Sequence, residues 1–254
     1  MSDATRAEVC AVALAECFRG DGEILASAIG VLPTLGARLA KLTFAPDILV
    51  TDGLHYVLDN VPPLGAANGF EPVVEGWLPY RLVFDWLWAG RRHVVMGATQ
   101  IDRFGNQNIA CIGDPAKPRA QLLGMRGAPG NTIHHPTSYW IPNHGPKSFV
   151  PRVDVVSGIG YDRAAALGPQ ASRFHEIRRV VSNLGVFDFG TPDHAMRLVS
   201  VHPGVEVDEV VEKTGFELVI DERVAHTRAP SEGELRLLRE RLDPNGVAAR
   251  EPLG

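Results

Sequence analysis

Three short apolar runs, residues 94–96, 108–112 and 121–125, close on Gly97, Gly113 and Gly127 or on turn residues, and the residues best suited to chemistry stand at those ends. Ala98-Thr99-Gln100 follows the first run, and Arg126-Gly127-Ala128-Pro129-Gly130-Asn131 follows the third. A guanidinium holds a carboxylate through two parallel hydrogen bonds, or an enolate oxygen, more firmly than an ammonium does. The amides of Gln100 and Asn131 can donate to a carbonyl, and the small residues around Gly127 leave backbone N–H groups open to a ligand. The bland alternative is that both amides cap turns and that Arg126 makes a surface ion pair. Spacing does not choose between the two.

Apolar runs this short, bounded by turn signals, read as buried strands. In an open α/β sheet the loops at the carboxyl ends of strands are where ligands bind, so both loops are site candidates by position. Residues 132–151 add His134, His135 and His144 beside Trp140 and four prolines. None of the three histidines falls in an HExxH or other ligand spacing, so no metal is expected.

The elements around this stretch follow from local signals. Thr5 with Glu8 forms a capping box opening a helix that Arg19 and Gly20 close. Residues 23–28 read as a strand, 30–34 as a loop, 35–42 as a helix and 47–50 as a second strand, a βαβ unit that favours a parallel sheet. Residues 51–79 are rich in Gly and Pro and resist a periodic assignment. Residues 80–89 read as a helix with Leu82, Val83 and Trp86 inward. Strands are expected at 153–157, 177–181, 186–189, 198–201 and 216–220, with a helix at 207–213. Ser231 with Glu234 opens a last helix that stops at Pro244. No repeat or linker interrupts the 254 residues, which read as a single domain of open, mostly parallel α/β type with helices on both faces.

Composition narrows the function classes. A net charge of -5 and a pI near 6.0, with scattered lysines and arginines, provide no field for a nucleic-acid backbone. Three cysteines without metal spacing suit a reducing compartment. Cys10 and Cys17 lie about 10 Å apart along a helix axis, too far for a disulfide. Asp3 and Glu8 sit where a signal peptide would be basic, and no apolar run approaches the roughly 20 residues of a membrane span. A cytoplasmic enzyme is expected, with neither nucleic acid nor membrane as partner.

Several segments in order resemble the β subunit of the class I coenzyme A transferases. They are Ala45-Pro46-Asp47, Gly97-Ala98-Thr99-Gln100-Ile101-Asp102 with Gly105-Asn106-Gln107-Asn108, the glycine loop 124–130, and Val201-His202-Pro203-Gly204-Val205 with Glu209-Val210-Val211 and Thr214-Gly215-Phe216. The resemblance spans about residues 20–245. It implies the class I CoA-transferase fold, an α subunit of similar build in a heterodimer or α2β2 heterotetramer, and a site at their junction that takes an acyl-CoA. Coenzyme A would enter as part of the thioester, with no separate cofactor.

Transferases of this family attack the thioester with the glutamate of an E-x-G motif. Here the segment reads Val50-Thr51-Asp52-Gly53, placing Thr51 in the glutamate slot. A threonine hydroxyl cannot form the acyl anhydride and then the thioester that a carboxylate forms, and Asp52 is offset by one residue and faces the other way in an extended chain. Gly124-Met125-Arg126-Gly127-Ala128-Pro129-Gly130-Asn131 resembles the loop of a steroid ring-opening hydrolase branch of the family. That likeness implies hydrolytic C–C cleavage of a cyclic β-keto acyl-CoA in sterol (cholesterol) ring degradation. Within it Arg126 would be the catalytic charge and Thr51, Gln100, Gly127 and Asn131 would bind substrate, while the base would come from the α subunit. The alternatives are a CoA transferase working through Asp52 and a non-catalytic binding subunit.

Overall fold

The computed structural model describes residues 3–65 and 69–253. The chain divides into two compact units, one of residues up to Val95 together with Arg228–Leu253, the other of Met96–Thr227.

In the first unit, helix α1 (Arg6–Glu16) starts at the expected capping box: the Glu8 N–H donates to Thr5 Oγ1 at 3.3 Å and the Thr5 N–H to Glu8 Oε2 at 2.7 Å. Strand β1 (Leu25–Ala28) leads to α2 (Val31–Thr43). The helix begins four residues earlier than expected because Pro33 lies in its first turn, where a missing N–H costs no helical bond. Helices α1 and α2 cross backbone to backbone at Gly36, whose added Cβ would lie 2.8 Å from Leu14 Cβ and 2.9 Å from Ala15 N.

The chain then returns parallel to β1 through a Leu25–Leu49 bridge, completing the βαβ unit. The irregular segment 51–79 contains a small antiparallel sheet instead of a bare excursion: β2 (Val50–Thr51), β3 (Tyr56–Leu58) and β4 (Val74–Trp77) pair in that order. Helix α3 (Leu82–Trp88) packs Leu82, Val83 and Trp86 on Leu25, Val57 and Leu78. Its other face, Phe84 and Trp88 with the preceding Tyr80 and Trp77, is exposed. Strand β5 (Arg92–Gly97) pairs in parallel with β1. A second capping box at Ser231 opens the C-terminal helix Glu232–Arg236, which continues as a π-helical turn at Leu237–Leu242.

In the second unit the central stretch departs from expectation. Residues 108–112 and 121–125 are not sheet strands; they belong to two small hairpins, β6 (Gln100–Ile101) with β7 (Gln107–Asn108) and β8 (Cys111–Ile112) with β9 (Ala120–Gln121). The loop after them winds into α4 (Ala128–His134), with Pro129 in its first turn. Strand β10 (Pro136–Ile141) arises from the stretch 132–151 that showed no period, since five of its six residues are buried and no polar face alternates with an apolar one. Helices α5 (Tyr161–Leu167) and α6 (Pro169–Ser172) lead to β11 (Glu176–Ser182), β12 (Gly185–Asp188), β13 (Arg197–Val201), α7 (Val207–Glu212) and β14 (Val219–His226).

The strand expected at 153–157 is absent. There the Ser157 and Gly158 N–H groups bond instead to the Gln107 carbonyl. Parallel pairs (β1–β5, β10–β11, β13–β14) outweigh the antiparallel β11–β12 and β12–β13 in the main sheet, the open α/β class expected. Among the described residues no helix is long and apolar enough to cross a membrane.

Candidate functional site

The candidate residues fall in three local groups. In the glycine loop, Gly124 has φ +80 and Arg126 φ +52 before Gly127 caps α4. A left-handed backbone costs an L-residue roughly 1–2 kcal/mol, and among the described residues only Arg126 and His194 adopt it without being glycine. Arg126 is exposed, and no described residue bonds or ion-pairs with its guanidinium. The surface ion pair therefore finds no partner among the described residues.

Gly127 and Asn131 are brought together. A Cβ added to Gly127 would touch Asn131 Oδ1 at 3.6 Å and Nδ2 at 3.7 Å, so the glycine packs directly beside the buried amide. Asn131 Nδ2 reaches Met96 Sδ at 3.8 Å, a weak acceptor. His134 Nδ1 donates to the Gly130 carbonyl at 2.9 Å, tying down the end of the loop.

Gln100 heads a separate, buried network. Its Oε1 accepts from Asn108 Nδ2 at 2.7 Å and from the Asp154 N–H at 3.0 Å, while its Nε2 donates to Asp154 Oδ2 at 3.2 Å. Asp154 Oδ2 also takes the Gly113 N–H at 2.8 Å. Both lone pairs and one N–H of the Gln100 amide are thus engaged in holding hairpins, the turn-bracing arrangement. Asp154 carries no signal of its own in the sequence, since nothing there ties it to residues 41 to 54 positions away.

In the first unit, Thr51 ends β2 opposite Val57. Its Oγ1 accepts the Gly53 N–H at 3.2 Å, leaving the hydroxyl proton to donate elsewhere. Asp52 Oδ1 accepts three backbone N–H groups, from Leu54, His55 and Tyr56, at 2.9, 2.9 and 3.0 Å. Desolvation raises the Asp52 pKa, but the backbone donors outweigh it and hold the carboxyl below its ordinary value. Asp52 is therefore the anchor of a turn. A cavity of about 160 Å³ opens here, lined by Ala28, Thr34, Arg38, Thr51, Asp52 and Gly53 among others.

A larger cavity of about 660 Å³ in the same unit touches none of the candidates. It is acidic, with Glu23, Asp47, Asp59 and Glu75 around a Lys41 whose Nζ donates to the Pro46 and Ile48 carbonyls.

The remaining histidines have local duties. His135 Nδ1 donates to the Pro136 carbonyl. His144 bridges Ser182 Oγ and Thr214 Oγ1 at 3.0 and 2.9 Å and stacks on Phe149, and burial pushes its imidazole down to about 3. Among the described residues no group of three or more His, Cys, Asp or Glu could hold a metal ion.

No protein-family model matches the sequence. The chain is 52% identical over 251 residues to the cholesterol ring-cleaving hydrolase IpdB subunit of Rhodococcus jostii (strain RHA1), covering 99% of this chain and 97% of that protein. It is 30% identical to the second subunit of the 3-oxoadipate CoA-transferase of Pseudomonas knackmussii, over 94% of this chain and 91% of that one. Its structure superposes on the Rhodococcus jostii RHA1 IpdAB crystal structure with a TM-score of 0.93 at 52% identity, covering 98% of this chain and 99% of that chain. With identities this high over nearly the whole length, the chain belongs to the IpdB family of ring-cleaving hydrolase subunits, within the wider group that includes the corresponding subunits of CoA-transferases.

Proposed function

We propose that this chain is the β subunit of a heteromeric hydrolase that opens a ring of a cyclic β-keto acyl-CoA during cholesterol ring degradation. The observation that carries the reading is Thr51 at the end of β2. A hydroxyl stands in the slot, and the adjacent Asp52 carboxylate is held by three backbone donors. Neither residue is set up as the carboxylate nucleophile that ping-pong CoA transfer needs. The 52% identity to the Rhodococcus jostii subunit supports the same reading.

In such a reaction the oxygen of water bonds to the ring carbonyl carbon. The bond from that carbon to the carbon beside the thioester breaks, and its electron pair passes into the thioester enolate, which then takes a proton. One water is consumed and one carboxylate is made. Negative charge builds on carbonyl oxygens, where a preorganised donor is worth on the order of 3 kcal/mol. Arg126, exposed and without a partner among the described residues, supplies the positive charge for that oxygen or for a substrate carboxylate. Asn131 stands beside Gly127 in the same loop, and in the first unit the Thr51 hydroxyl keeps a proton to donate. Gln100 acts at one remove, bracing the hairpins through Asp154 and Asn108.

No carboxylate among these groups stands ready as the base that activates water. We assign that role to an α subunit, in a heterodimer or an α2β2 assembly, working in the cytoplasm. The enzyme needs no cofactor beyond the coenzyme A of its substrate.

The test is co-expression with the α subunit and incubation with cyclic β-keto acyl-CoA esters in heavy-oxygen water. The expected product carries one heavy oxygen in a new carboxylate and keeps its thioester. Acid-dependent CoA exchange, or an acyl-enzyme trapped by hydroxylamine, would overturn the hydrolase reading. Full activity of the chain alone would overturn the division of labour.

A further inference from the structure

Helix α4 follows Arg126 directly, and its sequence leaves one carbonyl without the usual helical donor. The Thr132 carbonyl looks four residues ahead to Pro136, which has no N–H to give it. His175 supplies a bond in its place: its Nδ1 donates to the Thr132 carbonyl at 2.5 Å, and Thr132 is wholly buried. The Thr132 side chain is gripped as well. Its hydroxyl donates to the Ala128 carbonyl at 3.1 Å and accepts the Ile159 N–H at 3.2 Å, and a Cβ added to Gly158 would lie 2.9 Å from its Cγ2.

His175 is set for this one bond. It lies between α6 and β11, where its N–H donates to the Ser172 carbonyl at 3.2 Å and the Tyr161 ring stands edge-on to the imidazole at 4.6 Å. Its Nε2 is buried and has no hydrogen-bond partner among the described residues. A proton on Nε2 would sit there without an acceptor, so the neutral ring carries its proton on Nδ1, where the Thr132 carbonyl takes it. Burial pulls the imidazole below the ordinary histidine value; the Thr132 carbonyl and Asp162 oppose that fall and His194 adds to it.

We propose that His175 is a positioning residue for the ring-opening reaction: bonded to Thr132, it fixes α4 and so sets where Arg126, Gly127 and Asn131 meet the substrate. The Asn131 N–H donates to the Gly127 carbonyl at 2.9 Å, so one helical turn joins the loop to the residue that His175 holds. Without His175 a buried carbonyl loses its donor, and α4 shifts to find another. A displacement of about 1 Å is enough to cost roughly a hundredfold in rate. That the loop meets substrate rests on the proposed function; that His175 holds α4 does not.

The experiment sets three replacements beside wild type in the purified two-subunit complex. An asparagine amide nitrogen stands about where Nδ1 stands, so His175→Asn keeps the donor; His175→Gln carries its nitrogen at the Nε2 end and loses it, as does His175→Leu. With a cyclic β-keto acyl-CoA, His175→Leu and His175→Gln should lower kcat at least tenfold with KM within threefold, and His175→Asn should stay within threefold of wild type in both. In an Arg126→Ala background His175→Leu should cost less than threefold more, because the charge it positions is already gone. Hydrogen exchange over residues 127–135, read by mass spectrometry, should quicken at least tenfold in His175→Leu and His175→Gln but not in His175→Asn. The imidazole nitrogen spectrum of the wild-type complex should show His175 as the neutral Nδ1–H tautomer. Wild-type kcat in His175→Leu, equal losses in His175→Asn and His175→Gln, a loss that multiplies in full with Arg126→Ala, or an Nε2–H tautomer would each overturn the proposal. If His175→Leu fails to fold, the contrast of His175→Asn with His175→Gln and the tautomer still decide the matter. A complex that hydrolyses no acyl-CoA while exchange in α4 keeps that contrast would refute the proposed function and leave the hold on α4 standing.

Discussion

Replacing Arg126 by alanine and, separately, by glycine tests a side chain and a backbone at one position. With φ at +52 the residue carries roughly 1–2 kcal/mol of strain from its left-handed conformation. Alanine keeps that strain and removes only the guanidinium. Because the side chain is exposed and has no partner among the described residues, Arg126→Ala should change stability by no more than about 0.5 kcal/mol. Glycine relieves the strain but adds about 0.5–1 kcal/mol of unfolded-chain entropy, so Arg126→Gly should be stabilised by up to about 1.5 kcal/mol. At roughly 2–4 °C per kcal/mol for chains of this size, it should melt a little above both alanine variant and wild type. Activity should move the other way. A charge left unpaired in the substrate complex costs about 2–5 kcal/mol, so both variants should lose about 30-fold to several thousandfold in kcat/KM, with Arg126→Lys recovering part. The assay is steady-state kinetics on the two-subunit complex beside melting curves. An alanine variant within threefold of wild type would show that the guanidinium does not act on substrate, and a glycine variant melting below the alanine one would refute the strain argument.

Three further outcomes are expected. Gly36→Ala places a methyl 2.8 Å from Leu14 Cβ; overpacking at about 1–3 kcal/mol exceeds the helix propensity gained, about 1 kcal/mol. The melting point should fall by a few degrees, and a rise would show that α1 and α2 part freely. Thr51→Glu should not create CoA exchange between two acids, since a nucleophile misplaced by about 1 Å can lose roughly a hundredfold; efficient exchange by that single variant would contradict the reasoning. Finally, burial holds the His144 imidazole down to about 3, with the Lys213 charge adding to the shift. The unfolded imidazole takes its proton near 6.5, so the unfolded chain binds it first as the solution is acidified. The contribution of His144 is full above about pH 6.5 and is lost as pH falls toward about 3, at no more than ~1.4 kcal/mol per pH unit. Denaturant unfolding from neutral to acid pH should show a flatter profile for His144→Gln than for wild type, and parallel profiles would remove His144 as the cause.

Both capping boxes were legible because each is a local signal confined to four residues, Thr5 with Glu8 and Ser231 with Glu234. Strands β11, β12 and β13 were legible as apolar, β-branched runs separated by turn residues. The segment 51–79 was not, because β2, β3 and β4 are two to four residues long and exist through pairing across the chain, such as Val50 to Leu58 and Tyr56 to Trp77. No period can register in two residues. At the candidate site, residue type marked Arg126, Gly127, Asn131 and Thr51, but it could not say what each amide bonds to. Gln100 and Asn131 carry the same functional group, and only the fold commits the first to Asp154 and Asn108.

The exposed aromatic face of α3 also makes this chain its own optical probe. Of the four tryptophans, Trp140 is 3% exposed and Trp86 is packed against the core, whereas Trp77 and Trp88 are 69% and 63% exposed. Emission from the free chain should therefore hold a red-shifted component from two water-facing indoles above a blue one from the interior. An association that covers this face would strip water from both indoles and draw the spectrum toward the blue, while an association elsewhere would leave it unmoved. Titration with the α subunit, read at the emission maximum, can follow assembly without a label, and Trp77→Phe and Trp88→Phe would apportion the change between the end of β4 and the end of α3.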